Sequence, residues 1–61
     1  MKIREIREQK NIGLNELART TDINATYLSQ LERGVKVNPS REIMKKISDA
    51  LEVPIPQLFF W

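Results

Sequence analysis

Leu17-Ala18-Arg19-Thr20-Thr21-Asp22-Ile23-Asn24-Ala25-Thr26-Tyr27-Leu28-Ser29-Gln30-Leu31-Glu32-Arg33-Gly34 decides the reading of this chain. It spells two short helices joined by a tight turn, and the second helix has two unlike faces. Leu28 and Leu31 form an apolar stripe with Tyr27 beside it, whereas Thr26, Ser29, Gln30 and Arg33 recur at i, i+3, i+4 and i+7 and share the outward face. A helix surface whose only task is solubility mixes charges of both signs, as the start of this chain does. The outward stripe here carries hydroxyls, an amide and one arginine, but no acid. Such a face can enter a negatively charged groove and hydrogen-bond there, which is the chemistry of a helix that reads DNA.

Composition narrows the alternatives. At 61 residues the chain has room for one domain, residues 1–61, with a single small core. A chain of this size buries only about 60% of its unfolded surface, so each core position counts. Cysteine is absent, which removes disulfides and thiolate metal sites and suits a reducing interior. Histidine is absent too, so the usual zinc ligand sets and His-based acid–base or nucleophilic arrangements are unavailable. No apolar run approaches the roughly 18 residues that a membrane span needs. The opening Met1-Lys2-Ile3-Arg4-Glu5-Ile6-Arg7-Glu8 alternates charge too densely for a signal peptide. A soluble cytoplasmic protein is the expectation. The formal net charge is only +2, but its distribution is uneven: from Ile23 to Arg41 the basic residues are Arg33, Lys36 and Arg41, and the one acid is Glu32. Local sign, rather than the total, governs attraction to phosphates.

Outside the opening stretch, periodicity predicts a first helix from Lys2 to Lys10, with Ile3, Ile6, Arg7 and Lys10 on one face and Glu5 and Glu8 on the solvated side. Asn11-Ile12-Gly13 breaks it, with Ile12 as a core plug. The second helix spans Leu14 to Thr20; Leu14, Leu17, Ala18 and Thr21 align, and small Ala18 suits a close helix crossing. Asn24 is a good N-cap for the third helix, and Gly34 ends it where a left-handed residue is commonly needed. The helix-turn-helix therefore covers about residues 14–33. Val35-Lys36-Val37-Asn38-Pro39 reads as a loop, because three residues beside a proline make a poor strand. Ser40 caps a fourth helix that buries Ile43, Met44, Ile47, Ala50 and Leu51, and Val53-Pro54 stops it. Ile55, Leu58 and Phe59 suggest a last short helix, which tolerates Pro56 in its first turn. The fold class is all-α, with five short helices.

With that order in place, the chain resembles the phage repressor and Cro type of helix-turn-helix proteins, also called the xenobiotic-response-element family. The matching residues are Leu17-Ala18, Ile23, Tyr27-Leu28-Ser29-Gln30-Leu31-Glu32-Arg33-Gly34, Asn38-Pro39-Ser40 and the closing Leu51 and Val53. They run through most of the chain in consistent order and spacing, whereas a lone Glu-Arg-Gly would mean little. The Asn-Pro-Ser loop and fourth helix look most like repressors of biofilm and sporulation programmes in spore-forming bacteria. The resemblance implies a compact lambda-repressor-like DNA-binding domain. It implies that Ala25, Thr26, Ser29 and Gln30 face base edges and that Asn15 lies near the phosphate backbone. Arg33, Lys36, Asn38, Ser40 and Arg41 would line the backbone on the other side, partly through side chains and partly through the amides that open the fourth helix. It further implies a structural ion pair between Arg7 and Glu32, tying the first helix to the third. Two positions depart from the pattern. Leu14 stands where the family often has a glutamine, so that phosphate anchor is missing or is remade by Asn15. Asp22 stands where the turn usually has glycine, at a cost on the order of 1 kcal/mol if the residue is left-handed. The charge of Asp22 has no functional account.

Chemistry ranks these residues. Gln30 can make a two-point contact with adenine in the major groove, worth about 1–3 kcal/mol of discrimination. Thr26 offers a hydroxyl or a methyl contact to thymine, and Ala25 only an apolar one. So thin a reading surface predicts modest specificity per half-site and a need for two half-sites. Tyr27 has two readings, a half-buried ring at the core's edge and a hydroxyl that reaches a phosphate. Phe60 and Trp61 also have two: an exposed apolar homodimer interface, or a Trp61 that packs back on the first helix.

The expected function is therefore a sequence-specific regulator of transcription that binds double-stranded DNA at a palindromic operator, as a repressor acting by occupancy. It would work as a homodimer at least on DNA, without a cofactor or metal, and under control by concentration, a protein antagonist or proteolysis. The competing reading is a protein-interaction module, such as an antitoxin or an antagonist that pairs with a related regulator. Steep loss of retention on DNA with rising salt separates the two. An enzyme is not expected, since no nucleophile–base arrangement or phosphate-cradling glycine loop accompanies the carboxylates.

Overall fold

Residues 1–59 are described by the computed structural model, and they form five α-helices with no strand among them. The helices are α1 (Ile3–Gln9), α2 (Leu14–Thr21), α3 (Ala25–Glu32), α4 (Arg41–Leu51) and α5 (Ile55–Phe59). None is long and apolar enough to cross a membrane. The expectation for Phe60 and Trp61 falls outside the described residues.

Helix starts follow local chemistry. Asn24 Oδ1 accepts from the backbone N–H groups of Thr26 (2.7 Å) and Tyr27 (3.3 Å), which fixes where α3 begins. Ser40 Oγ accepts from the Ile43 N–H at 3.2 Å and starts α4. In α5 Pro56 occupies the first turn, where a missing N–H costs no helical bond.

Helix ends share one device. At Asn11, Asp22, Gly34 and Glu52 the backbone turns left-handed, with φ between 57° and 80°. The next residue then donates its N–H back across the last turn: Ile12 to Arg7 O, Ile23 to Ala18 O, Val35 to Gln30 O and Val53 to Ser48 O, all at 2.9–3.2 Å. This is the Schellman arrangement, which satisfies carbonyls that a helix end otherwise leaves open. At three of the four it also aims an apolar residue at the interior, since Ile23 is buried and Ile12 and Val53 pack against the core, whereas Val35 stays 61% exposed. Two expectations shift accordingly. The first helix closes at Gln9, so Lys10 leaves the Ile3 face and is exposed. The fourth stops at the left-handed Glu52 rather than at Val53-Pro54.

Ile3, Leu17, Ile23, Leu28, Leu31, Ile47, Leu51 and Leu58 form the core. Each fully buried aliphatic side chain of this size contributes about 1.5–3 kcal/mol. α2 packs against both α3 and α4, α4 against α5, and α5 against α1. The Lys2 N–H donates to Leu58 O at 2.8 Å and joins the first turn of the chain to the last. Thr21 is buried but satisfied, its hydroxyl donating to Leu17 O at 2.7 Å. The result is a short helical stack in which α3 lends its Leu28–Leu31 side to the core and keeps the other side free.

Candidate nucleic-acid interface

The outward side of α3 is not covered by the other described residues. Thr26 and Arg33 are exposed, and Ala25, Ser29 and Gln30 are partly exposed. The side chain of Asn24 locks the first turn, so Ala25 and Thr26 sit on rigid backbone. Tyr27 is half-buried against the core.

Glu32 sets the electrostatics of this face. The one acid between Ile23 and Arg41 points inward, with 7% of its side chain exposed. Its carboxylate takes two hydrogen bonds from Arg7, from Nε at 2.8 Å and from Nη2 at 3.1 Å. The third arm of the guanidinium, Nη1, donates to Ile12 O at 2.9 Å. The fork thus joins α1, the α1–α2 turn and the last turn of α3, and it holds the axis of α3 against the body. Hydrogen bonding to Glu32 raises the Arg7 pKa above its ordinary value, against an opposing effect of burial. What remains on the outside of α3 carries no carboxylate.

Cations follow that surface along the chain. Arg33 caps the end of α3, Lys36 lies in the following loop, and Arg41 opens α4; all three are exposed. The ion pairs among the described residues are Arg4–Glu8, Arg7–Glu32 and Lys46–Glu42, and none of them engages these three. Gln30 O accepts from the N–H groups of both Val35 (2.9 Å) and Lys36 (3.2 Å), so the loop leaving α3 folds back on its final turn. Lys36 is thereby tethered next to the reading face. Asn38 and Ser40 continue the exposed edge towards α4.

The structure thus gathers Ala25, Thr26, Ser29, Gln30 and Arg33 on one helix, with Lys36 tied to it through the backbone. Asn15 stands apart on the first turn of α2, exposed beside Leu14, which packs against the core. Leu14 serves packing rather than a polar anchor. Asp22 ends α2 in the left-handed conformation at φ 57°, which gives its position a backbone role.

Comparison with known proteins agrees with this geometry. A family model described as helix-turn-helix matches residues 3–58. The chain is 44% identical over 57 residues to the HTH-type transcriptional regulator SlrR of Bacillus subtilis, covering 93% of this chain and 38% of that protein. It is 35% identical over 57 residues to the HTH-type transcriptional regulator SinR of Bacillus subtilis, covering 93% of this chain and 51% of SinR. Control protein C.BamHI of Bacillus amyloliquefaciens is 43% identical over 53 residues, covering 85% of this chain and 64% of C.BamHI. The chain therefore spans about half or less of the length of SlrR and SinR. Among solved structures, the N-terminal DNA binding domain of SinR from Bacillus subtilis superposes with a TM-score of 0.87 at 35% identity, covering 93% of this chain and 83% of that one.

Proposed function

Because the chain belongs to the Cro/C1-type helix-turn-helix family, we propose that it is a sequence-specific regulator of transcription that binds double-stranded DNA and represses by occupying its operator. One observation carries this reading: the open side of α3 is free of carboxylates and ends at Arg33, with Lys36 tied to it through the Gln30 carbonyl, and neither cation takes part in an ion pair among the described residues. On this reading α3 enters the major groove. Gln30, Thr26, Ser29 and Ala25 meet base edges, while Asn15, Tyr27, Arg33, Lys36, Asn38, Ser40 and Arg41 follow the phosphates. So few reading groups discriminate weakly alone, which favours two copies on a palindrome with their reading helices about 34 Å apart. Work on a chromosomal operator would place the protein in the cytoplasm.

Selection of bound duplexes from a random pool tests the proposal. It predicts an enriched, two-fold symmetric motif whose half-sites lie one helical turn apart, and an affinity that falls steeply between about 50 and 200 mM salt. A pool that stays random, with retention insensitive to salt, would rule the DNA reading out in favour of a protein-interaction module.

A further inference from the structure

Thr20, Thr21 and Thr26 are put to different uses. The hydroxyls of Thr20 and Thr21 donate to carbonyls one turn back, Glu16 O at 3.0 Å and Leu17 O at 2.7 Å. Thr26 stands in the first turn of α3, with no earlier turn to bond. Its backbone N–H is held by Asn24 Oδ1, but its hydroxyl makes no hydrogen bond among the described residues. Hydroxyl and methyl are therefore both free on an exposed side chain, and Ala25 beside it is partly exposed. Helical Cβ atoms tilt towards the N-terminus, so both side chains lean past the start of α3, the end that a recognition helix turns to the bases. Resting on the reading of α3 as a DNA-reading helix, we propose that this turn recognises the C5 methyl group of a pyrimidine, so that cytosine methylation at that position tunes occupancy of the operator.

The available chemistry selects the methyl. A purine edge presents N7 and an exocyclic group together, and it rewards a two-point partner such as an amide or a guanidinium. Ala25 has no polar side-chain atom and Thr26 has one hydroxyl. Asn24 cannot supply the pair, because its side-chain oxygen already accepts from the Thr26 and Tyr27 N–H groups. Nor does the turn hold an acid that would accept from a cytosine amine. Two side-chain methyls remain, and their match in the major groove is the C5 methyl of thymine. 5-Methylcytosine carries the same methyl on the same ring carbon. The two bases differ at C4, where thymine has an acceptor oxygen and cytosine a donor amine. Ala25 cannot sense that difference, and a hydroxyl that both donates and accepts serves either base. The turn thus groups thymine with 5-methylcytosine and sets uracil and unmodified cytosine apart. The Asn24 cap fixes the backbone beneath both residues, so an added base methyl meets a preformed surface. Burying one such group corresponds to about fourfold in affinity.

The test titrates the chain against duplexes built on the selected motif, modified at one pyrimidine position of the half-site at a time. Two affinity ratios are read at each position, thymine over uracil opposite adenine and 5-methylcytosine over cytosine opposite guanine. Each pair differs by a single methyl and keeps the partner purine constant. At one position both ratios should be about fourfold. The double variant Ala25→Gly with Thr26→Ser, which removes two protein methyls and keeps the hydroxyl, should bring both ratios there close to one. Thermal unfolding confirms that this variant is folded, and Thr26→Ser alone should already lower both ratios. Gln30→Ala should leave the two ratios at about fourfold, since its amide addresses the purine. Ratios near one at every position in the wild type would overturn the proposal. So would a thymine effect without a 5-methylcytosine effect, or ratios that persist in the double variant or vanish in Gln30→Ala. Failure of the underlying DNA reading would look different, with no sequence preference on any duplex.

Discussion

Glu32 and Gln30 lie two residues apart on the same helix, yet they face opposite tasks. Glu32 turns its carboxylate onto Arg7 and leaves the outside of α3 without negative charge. Gln30 keeps its side chain partly exposed, while its carbonyl anchors the loop that carries Lys36. Base reading and phosphate holding should therefore separate by substitution. Gln30→Ala should lower discrimination between selected and scrambled duplexes by about 1–3 kcal/mol and leave non-specific affinity intact. Lys36→Ala should weaken binding to every duplex alike and reduce the magnitude of the salt slope by about one. Titrations of both variants on both duplexes at several salt concentrations check the division. Equal losses from both changes on every duplex would abolish it.

At the level of the helix, terminations matter more than starts. Four left-handed residues end helices here, and only Gly34 is a glycine. A side chain in that conformation costs about 1–2 kcal/mol, and an acid at a helix C-terminus adds an unfavourable charge–dipole interaction. Glu52 combines both at the end of the longest helix. Glu52→Gly should stabilise the protein by about 1 kcal/mol after allowing for the greater freedom of glycine in the unfolded chain. In a domain of this size, that raises Tm by about 4–8 °C, readable by thermal unfolding. Gly34→Ala should move Tm down. A Cβ there meets nothing within 4 Å, so the penalty is backbone strain alone. These termini also mark the limit of what the linear pattern reveals. Asn24, Ser40 and Gly34 act through their own side chains or lack of one, and are legible from neighbours three residues away. Asn11 and Glu52 turn left-handed because Ile12 and Val53 must reach a core built from distant helices. Nothing local in a glutamate announces that demand.

Across the whole molecule, the Arg7–Glu32 fork is the polar tie between the start of the chain and the reading helix, 25 residues apart. Both side chains are nearly excluded from solvent, at 11% and 7% exposure. Arg7→Ala would leave a buried carboxylate unpaired and should cost about 3–5 kcal/mol. That is most of the total stability of a 61-residue domain, which is about 3–9 kcal/mol. Replacing both partners with apolar residues of similar volume, as in Arg7→Met with Glu32→Leu, should recover much of the loss in urea unfolding. A double variant as unstable as Arg7→Ala would refute this account. The guanidinium contribution also has a definite pH sense. Because Glu32 raises the Arg7 pKa, that contribution is complete below the ordinary guanidinium range and is lost only as pH rises through the raised value. Raising the pH from neutral to about 10 should therefore leave it intact, since a guanidinium stays protonated throughout that range.

What local order could determine, it did: helix positions, the caps at Asn24 and Ser40, the glycine stop and the two unlike faces of α3 all follow from residues within a turn or two of each other. Packing decided the rest. The inward turn of Glu32 onto Arg7 and the gathering of Met1, Val37, Met44 and Phe59 into one groove need segments far apart in the chain to meet. Periodicity describes one helix at a time, whereas a surface shared by several elements exists only once the core has set their relative positions.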